Sequence, residues 1–97
     1  MARATVVLRE KVIDEAGNIL ELAIWRVPIS AKNPEGVRYR LAYVRADERV
    51  PAVLFDNHSP KGHHRHIQGV ERPYVFTDVD RLLADFKAAV AKVRGGK

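Results

Sequence analysis

The sequence has no cysteine. That absence excludes disulfide staples, a thiolate nucleophile and zinc sites built on sulfur, and it fits a reducing compartment. No apolar run approaches the roughly twenty residues a helix needs to span a bilayer. The opening Met1-Ala2-Arg3-Ala4-Thr5 lacks the apolar core of a signal peptide. These absences predict a soluble, cytoplasmic protein with no membrane partner. There is also no internal repeat, low-complexity tract or long linker. The 97 residues are the length of one small domain, so residues 1–97 are read as a single unit.

What is present is a balance suited to folding. Hydrophobic residues make up 46% of the chain and charged residues 30%, which argues against intrinsic disorder. Lys and Arg number 17 against 12 Asp and Glu, a formal net charge of +5. A basic excess favours acidic partners such as nucleic acid or an acidic protein.

The first half alternates with period two, the signature of half-buried strands. Residues 5–13 are β-rich, and 14–18 form a turn in which Gly17 and Asn18 accept positive φ. Across 19–27, Leu20, Leu22 and Ile24 share one face. In 37–45, Val37, Tyr39, Leu41 and Tyr43 point to the core, which leaves Arg38 and Arg40 side by side on the opposite face. Residues 52–56 form a short apolar strand, and 63–67 can form another. The segment 69–73 reads as a break, and 74–76 as a last extended piece. Thr77 is the expected N-cap, with Asp80 in capping-box position. Val79, Leu82, Leu83, Phe86, Val90 and Val93 then make one apolar helical stripe that ends at Gly95-Gly96. The expected fold is α+β: an antiparallel sheet of four to five strands with one C-terminal helix packed on a face.

All four histidines, His58, His63, His64 and His66, fall within nine residues. Asp56 and Asn57 precede them, and Lys61 and Arg65 are interleaved. Histidine is the side chain whose charge changes near neutral pH. If the chain is extended there, His64 and His66 project from one side, and His63 and Arg65 from the other. Cleavage of RNA without metal needs a base for the 2′-hydroxyl, an acid for the leaving 5′-oxygen and cations for the developing phosphorane charge. His64 and His66 are the candidate acid–base pair. Lys61 and Arg65 are candidates to hold the phosphate, and Asp56 to orient a histidine. Arg38, Arg40, His58, His63 and Asn57 are the candidate substrate-binding residues. This chemistry requires no metal and no cofactor. Two other functions fit the same residues. One is a metal-dependent nuclease, in which His64 and His66 are completed by His58, Asp56 or Glu71, although interleaved cations oppose a bound cation. The other is a non-enzymatic protein that binds RNA, the ribosome or DNA through Arg38, Arg40 and the histidine segment.

Phe55-Asp56-Asn57, Lys61-Gly62-His63-His64-Arg65-His66, Gly69, Glu71, Pro73-Tyr74 with Phe76, and Leu82-Leu83-Ala84-Asp85-Phe86 together resemble the TumE family of prokaryotic toxins. Ile24-Trp25 and Tyr39-Arg40-Leu41 carry the same likeness. The resemblance implies the toxin half of a toxin–antitoxin pair that arrests growth when free. It also implies a helix-turn-helix antitoxin as partner, in a possible hetero-oligomer. RNA as the target follows only by analogy with other small basic toxins.

Overall fold

Among the described residues, 3–58 and 62–95 of a computed structural model, the chain forms six strands and one helix. They are β1 (Thr5–Ile13), β2 (Ile19–Arg26), β3 (Val37–Val44), β4 (Val53–Asp56), β5 (His64–Ile67), β6 (Val70–Pro73) and α1 (Val79–Gly95). Every strand runs antiparallel to its sequence neighbour, and the spatial order β1-β2-β3-β4-β5-β6 repeats the chain order. Such a meander needs only local connections.

The turns follow from side chains that compete for backbone hydrogens. Asp14 Oδ1 accepts from the amides of Ala16 and Asn18, each at 2.9 Å, and Gly17 supplies a φ of 89°. In the longer connection from β2 to β3, Ser30 and Asn33 exchange backbone hydrogen bonds at 3.2 Å, and Gly36 returns the chain to the ladder through its carbonyl to Val27 N.

The sheet has six strands, not the expected four to five. The extra one is β6. It pairs with β5 through the two-residue connection Gln68-Gly69, where φ is 49° and 84°. Two successive positive φ values match the right-handed twist of a hairpin. Gln is an uncommon residue for that geometry, so the segment 69–73 reads as a break in sequence and pairs as a strand in the fold. Residues 74–76 are correspondingly not a strand. They form an ordered connection whose aromatic rings pack downward. Tyr74 meets Phe55 edge-on at 5.1 Å, and Phe76 stacks on Tyr39 at 5.9 Å.

The N-cap is also one residue later than expected. Asp78 Oδ1, not Thr77, accepts from Arg81 N at 2.8 Å, and the Asp78 carbonyl accepts the first helical bond from Leu82 N. At the other end, Arg45 donates to the Val93 carbonyl at 3.3 Å. Arg45 thus satisfies a terminal carbonyl that the helix leaves open.

The core lies between α1 and one face of the sheet. Leu82, Phe86, Val90 and Val93 of the helix stripe are buried against Ile24, Tyr39, Leu41, Tyr43, Val53 and Phe55. Phe55 and Phe86 meet edge-to-face at 5.7 Å, a favourable aromatic arrangement. Among the described residues no helix covers the other face. No described helix is long and apolar enough to cross a membrane.

Candidate functional site on the open sheet face

Because strand side chains alternate, residues paired across strands share a face. Arg40 pairs with Asp56, Asp56 with His64, and His66 with Leu54 and Glu71. Arg38 lies two residues from Arg40 and pairs with Trp25. One face, opposite the helix, therefore presents Arg38, Arg40, Asp56, His64, His66 and Glu71.

The two central imidazoles meet edge-on, with ring centroids 5.1 Å apart. His64 is the more enclosed. Its Nδ1 lies 2.9 Å from the Gly62 carbonyl, so this nitrogen donates. Its Nε2 lies 3.0 Å from Asp56 Oδ1. That approach is off the hydrogen-bond direction, and among the described residues Oδ1 is buried without a hydrogen-bond partner. Only 11% of the His64 side chain is exposed, against 31% for His66. His66 Nε2 stands 3.8 Å from Glu71 Oε1, so His66 is the imidazole that solvent reaches.

His58 extends the site toward β1. It lines a groove of about 390 Å³ with Arg9, Lys11, Glu21, Trp25 and Arg40. Burial, then the charge of Arg38 and more weakly Arg40, holds its imidazole below the usual range, because each disfavours the charged ring. Among the described residues, His58 Nε2 is buried without a hydrogen-bond partner. Arg40 pairs with Glu21 at 3.5 Å, both side chains being substantially exposed. A pair of this kind is weak.

The remaining candidates lie elsewhere. His63 faces the helix side. Its ring stacks on Phe76 at 5.0 Å and on Tyr39 at 5.7 Å. Both nitrogens are engaged, Nδ1 with Tyr39 Oη and Nε2 with Glu35 Oε1, each at 2.9 Å. Asn57 is buried, accepting from Tyr39 N at 2.9 Å and donating to the Val37 carbonyl at 2.7 Å. It fixes the start of β3 and points away from solvent. Arg65 also projects to the helix side, where it lines a separate groove with Tyr74, Arg81 and Asp85. Its backbone sits between the two histidines, but its guanidinium is not brought to them. Lys61 lies outside the described residues.

Arg9, Lys11 and the carboxylate Glu21 were not singled out from the sequence, yet they complete the His58 groove. The alternation Arg9-Glu10-Lys11 within β1 is the signal that points to them. It gains meaning only from the register Arg9↔Ala23 and Lys11↔Glu21, which sets both cations on the open face.

Against known proteins, the model of the family described as Toxin TumE matches residues 2–94. No curated protein and no solved structure matches the chain.

Proposed function

Because the chain belongs to the toxin TumE family, we propose that it exerts its toxic role as a metal-independent endoribonuclease working on the open face of the sheet. One observation carries this reading. The fold gathers two adjoining imidazoles, a third held neutral, two arginines and an orienting carboxylate on a face the helix leaves bare.

The chemistry is an internal transfer. His66, open to solvent, takes the proton of a ribose 2′-hydroxyl as that oxygen attacks the neighbouring phosphorus. The bond from phosphorus to the 5′-oxygen breaks, and the departing oxygen takes a proton from His64. The products are a 2′,3′-cyclic phosphate and a free 5′-hydroxyl. Asp56 sets a carboxylate 3.0 Å from His64 Nε2, the kind of neighbour that positions a catalytic histidine. Arg38 and Arg40 hold the phosphate and offset the charge that develops on its oxygens. His58, kept neutral, accepts a hydrogen bond from the bound strand. His63 and Asn57 support the site from beneath.

The cognate partner of such a toxin is an antitoxin, and we take it to be a helix-turn-helix protein. The test is direct. Purified protein mixed with cellular RNA and a chelator is expected to yield discrete fragments, and the same sequence in 2′-deoxy form is expected to stay intact. Equal cleavage of the deoxy substrate would reject attack by the 2′-hydroxyl. Salt-sensitive binding without product, from protein that still arrests growth, would point to a binding toxin instead.

A further inference from the structure

We propose that His64, His66 and Glu71, backed by Asp56, form a binding site for a divalent transition-metal ion, with zinc as the best-suited occupant. The first argument is proton inventory. His64 Nδ1 donates to the Gly62 carbonyl at 2.9 Å. A carbonyl cannot donate back, so the neutral ring presents the lone pair of Nε2. Nε2 lies 3.0 Å from Asp56 Oδ1, itself an acceptor. Two acceptors at this distance repel unless a positive charge, either a second proton on the ring or a bound cation, lies between or beside them. Among the described residues, Oδ1 is buried and takes no hydrogen bond.

The second argument is ligand geometry. One donor atom from each of His64, His66 and Glu71 lies within 4.8 Å of the other two. A point equidistant from three atoms at that separation is about 2.8 Å from each, against roughly 2.0–2.2 Å for zinc bonds to nitrogen and oxygen. Closing the site takes a shift of about 0.7 Å per side chain, the larger part of which falls to the more exposed His66 and Glu71. The β5–β6 hairpin fixes the directions, since His66 pairs with Glu71 and His64 lies two residues away on the same strand. The bond from His64 Nδ1 to a backbone carbonyl is the outer contact that orients metal-bound imidazoles. Two carboxylates and two neutral rings offset a dipositive ion. Arg65, the cation nearest in sequence, projects to the opposite face. His66 and Glu71 are 31% and 35% exposed, which leaves an open position and an entry path.

The site itself stands on geometry. Its consequence rests on the reading above: a metal there occupies the lone pairs that the proton transfers require, so zinc acts as an inhibitor.

The experiment uses the full chain, stripped with a chelator and titrated with zinc chloride alone by calorimetry. One equivalent is expected to bind, with the ring signals of His64 and His66 moving in NMR spectra of the wild-type protein and those of His63 unmoved. His66→Gln and Glu71→Gln, at half-exposed positions, are expected to weaken binding about tenfold or more, while His58→Ala leaves it unchanged. Absence of binding, or an equal loss in His58→Ala, would overturn the site. In the cleavage assay one equivalent of zinc is expected to suppress product, and chelator to restore it. Zinc bound at these residues with undiminished or zinc-requiring cleavage would keep the site and overturn inhibition. Zinc bound there with no cleavage under any metal condition would keep the site and overturn the ribonuclease reading.

Discussion

His63 and His64 are neighbours in the chain and lie on opposite sides of the sheet. His63 stacks against both Tyr39 and Phe76, which also touch each other, and both its nitrogens are committed to protein partners. His64 stands on the bare face beside His66, Asp56 and the two arginines. The same side chain serves the packing of one face and the chemistry of the other. The half-turn between successive strand residues separates them.

The sharpest way to break this contrast is to truncate each face in turn. His66→Ala is expected to lower RNA cleavage by about 10²–10⁴-fold and to relieve growth arrest, with an unchanged denaturant midpoint and intact antitoxin binding. His63→Ala is expected to do the reverse, losing stability while retaining cleavage. If a folded His64→Ala/His66→Ala protein still arrests growth, the open face has no part in toxicity. Phe86→Ala probes the covered face alone. Its ring is buried against Phe55, and removing it is expected to cost about 3–5 kcal/mol, measured by chemical denaturation. Asn57→Ala, which strips the buried amide from Tyr39 N and the Val37 carbonyl, is expected to cost about 1–3 kcal/mol. A neutral result there would return Asn57 to the list of substrate contacts. Asp78→Ala, the helix cap, is expected to cost about 1 kcal/mol.

The smallest effect sharpens the contrast through pH. Burial and the arginines hold His58 below the ordinary imidazole range. Its folded form therefore binds fewer protons than its unfolded form. The stability linked to this residue is complete above the unfolded value near 6.5 and is lost as pH falls through the folded one. Wild-type protein is expected to lose stability below about pH 6.5 relative to His58→Asn. In NMR titrations the His58 ring should protonate at a lower pH than free imidazole, and Arg38→Ala should raise its midpoint. A His58 that titrates like a free imidazole would remove the electrostatic link between it and the arginines.

Some parts of the molecule are legible from the sequence because their signal is local. The stripe Val79, Leu82, Leu83, Phe86, Val90, Val93 repeats at helical spacing, and the resulting helix packs as expected. The alternation around Leu20–Ile24 and Val37–Tyr43 gives two strands and their buried faces. The pairing of His64 with His66 on one side also follows from alternation. The strand β6 is not legible, because it depends on a turn with an unusual residue at positive φ. Nor is the distribution of the candidates. Asn57 and His58 are adjacent and equally polar, yet only the register of β3 against the chain after β4 decides that one is buried as a backbone clamp and the other faces a groove.

The sequence by itself determined the α+β class, the helix, the family and the stretch in which ionisable side chains concentrate, since periodicity and composition are properties of the chain alone. Only the tertiary structure decided which of those side chains share a surface. Cross-strand pairing brings Arg40, Asp56, His64 and Glu71 together from four strands, and it sends Arg65 away from the histidines on either side of it. The reason is that a sheet has two faces and only one is covered. Proximity in the chain places residues on alternate sides, and proximity on a face is set by register.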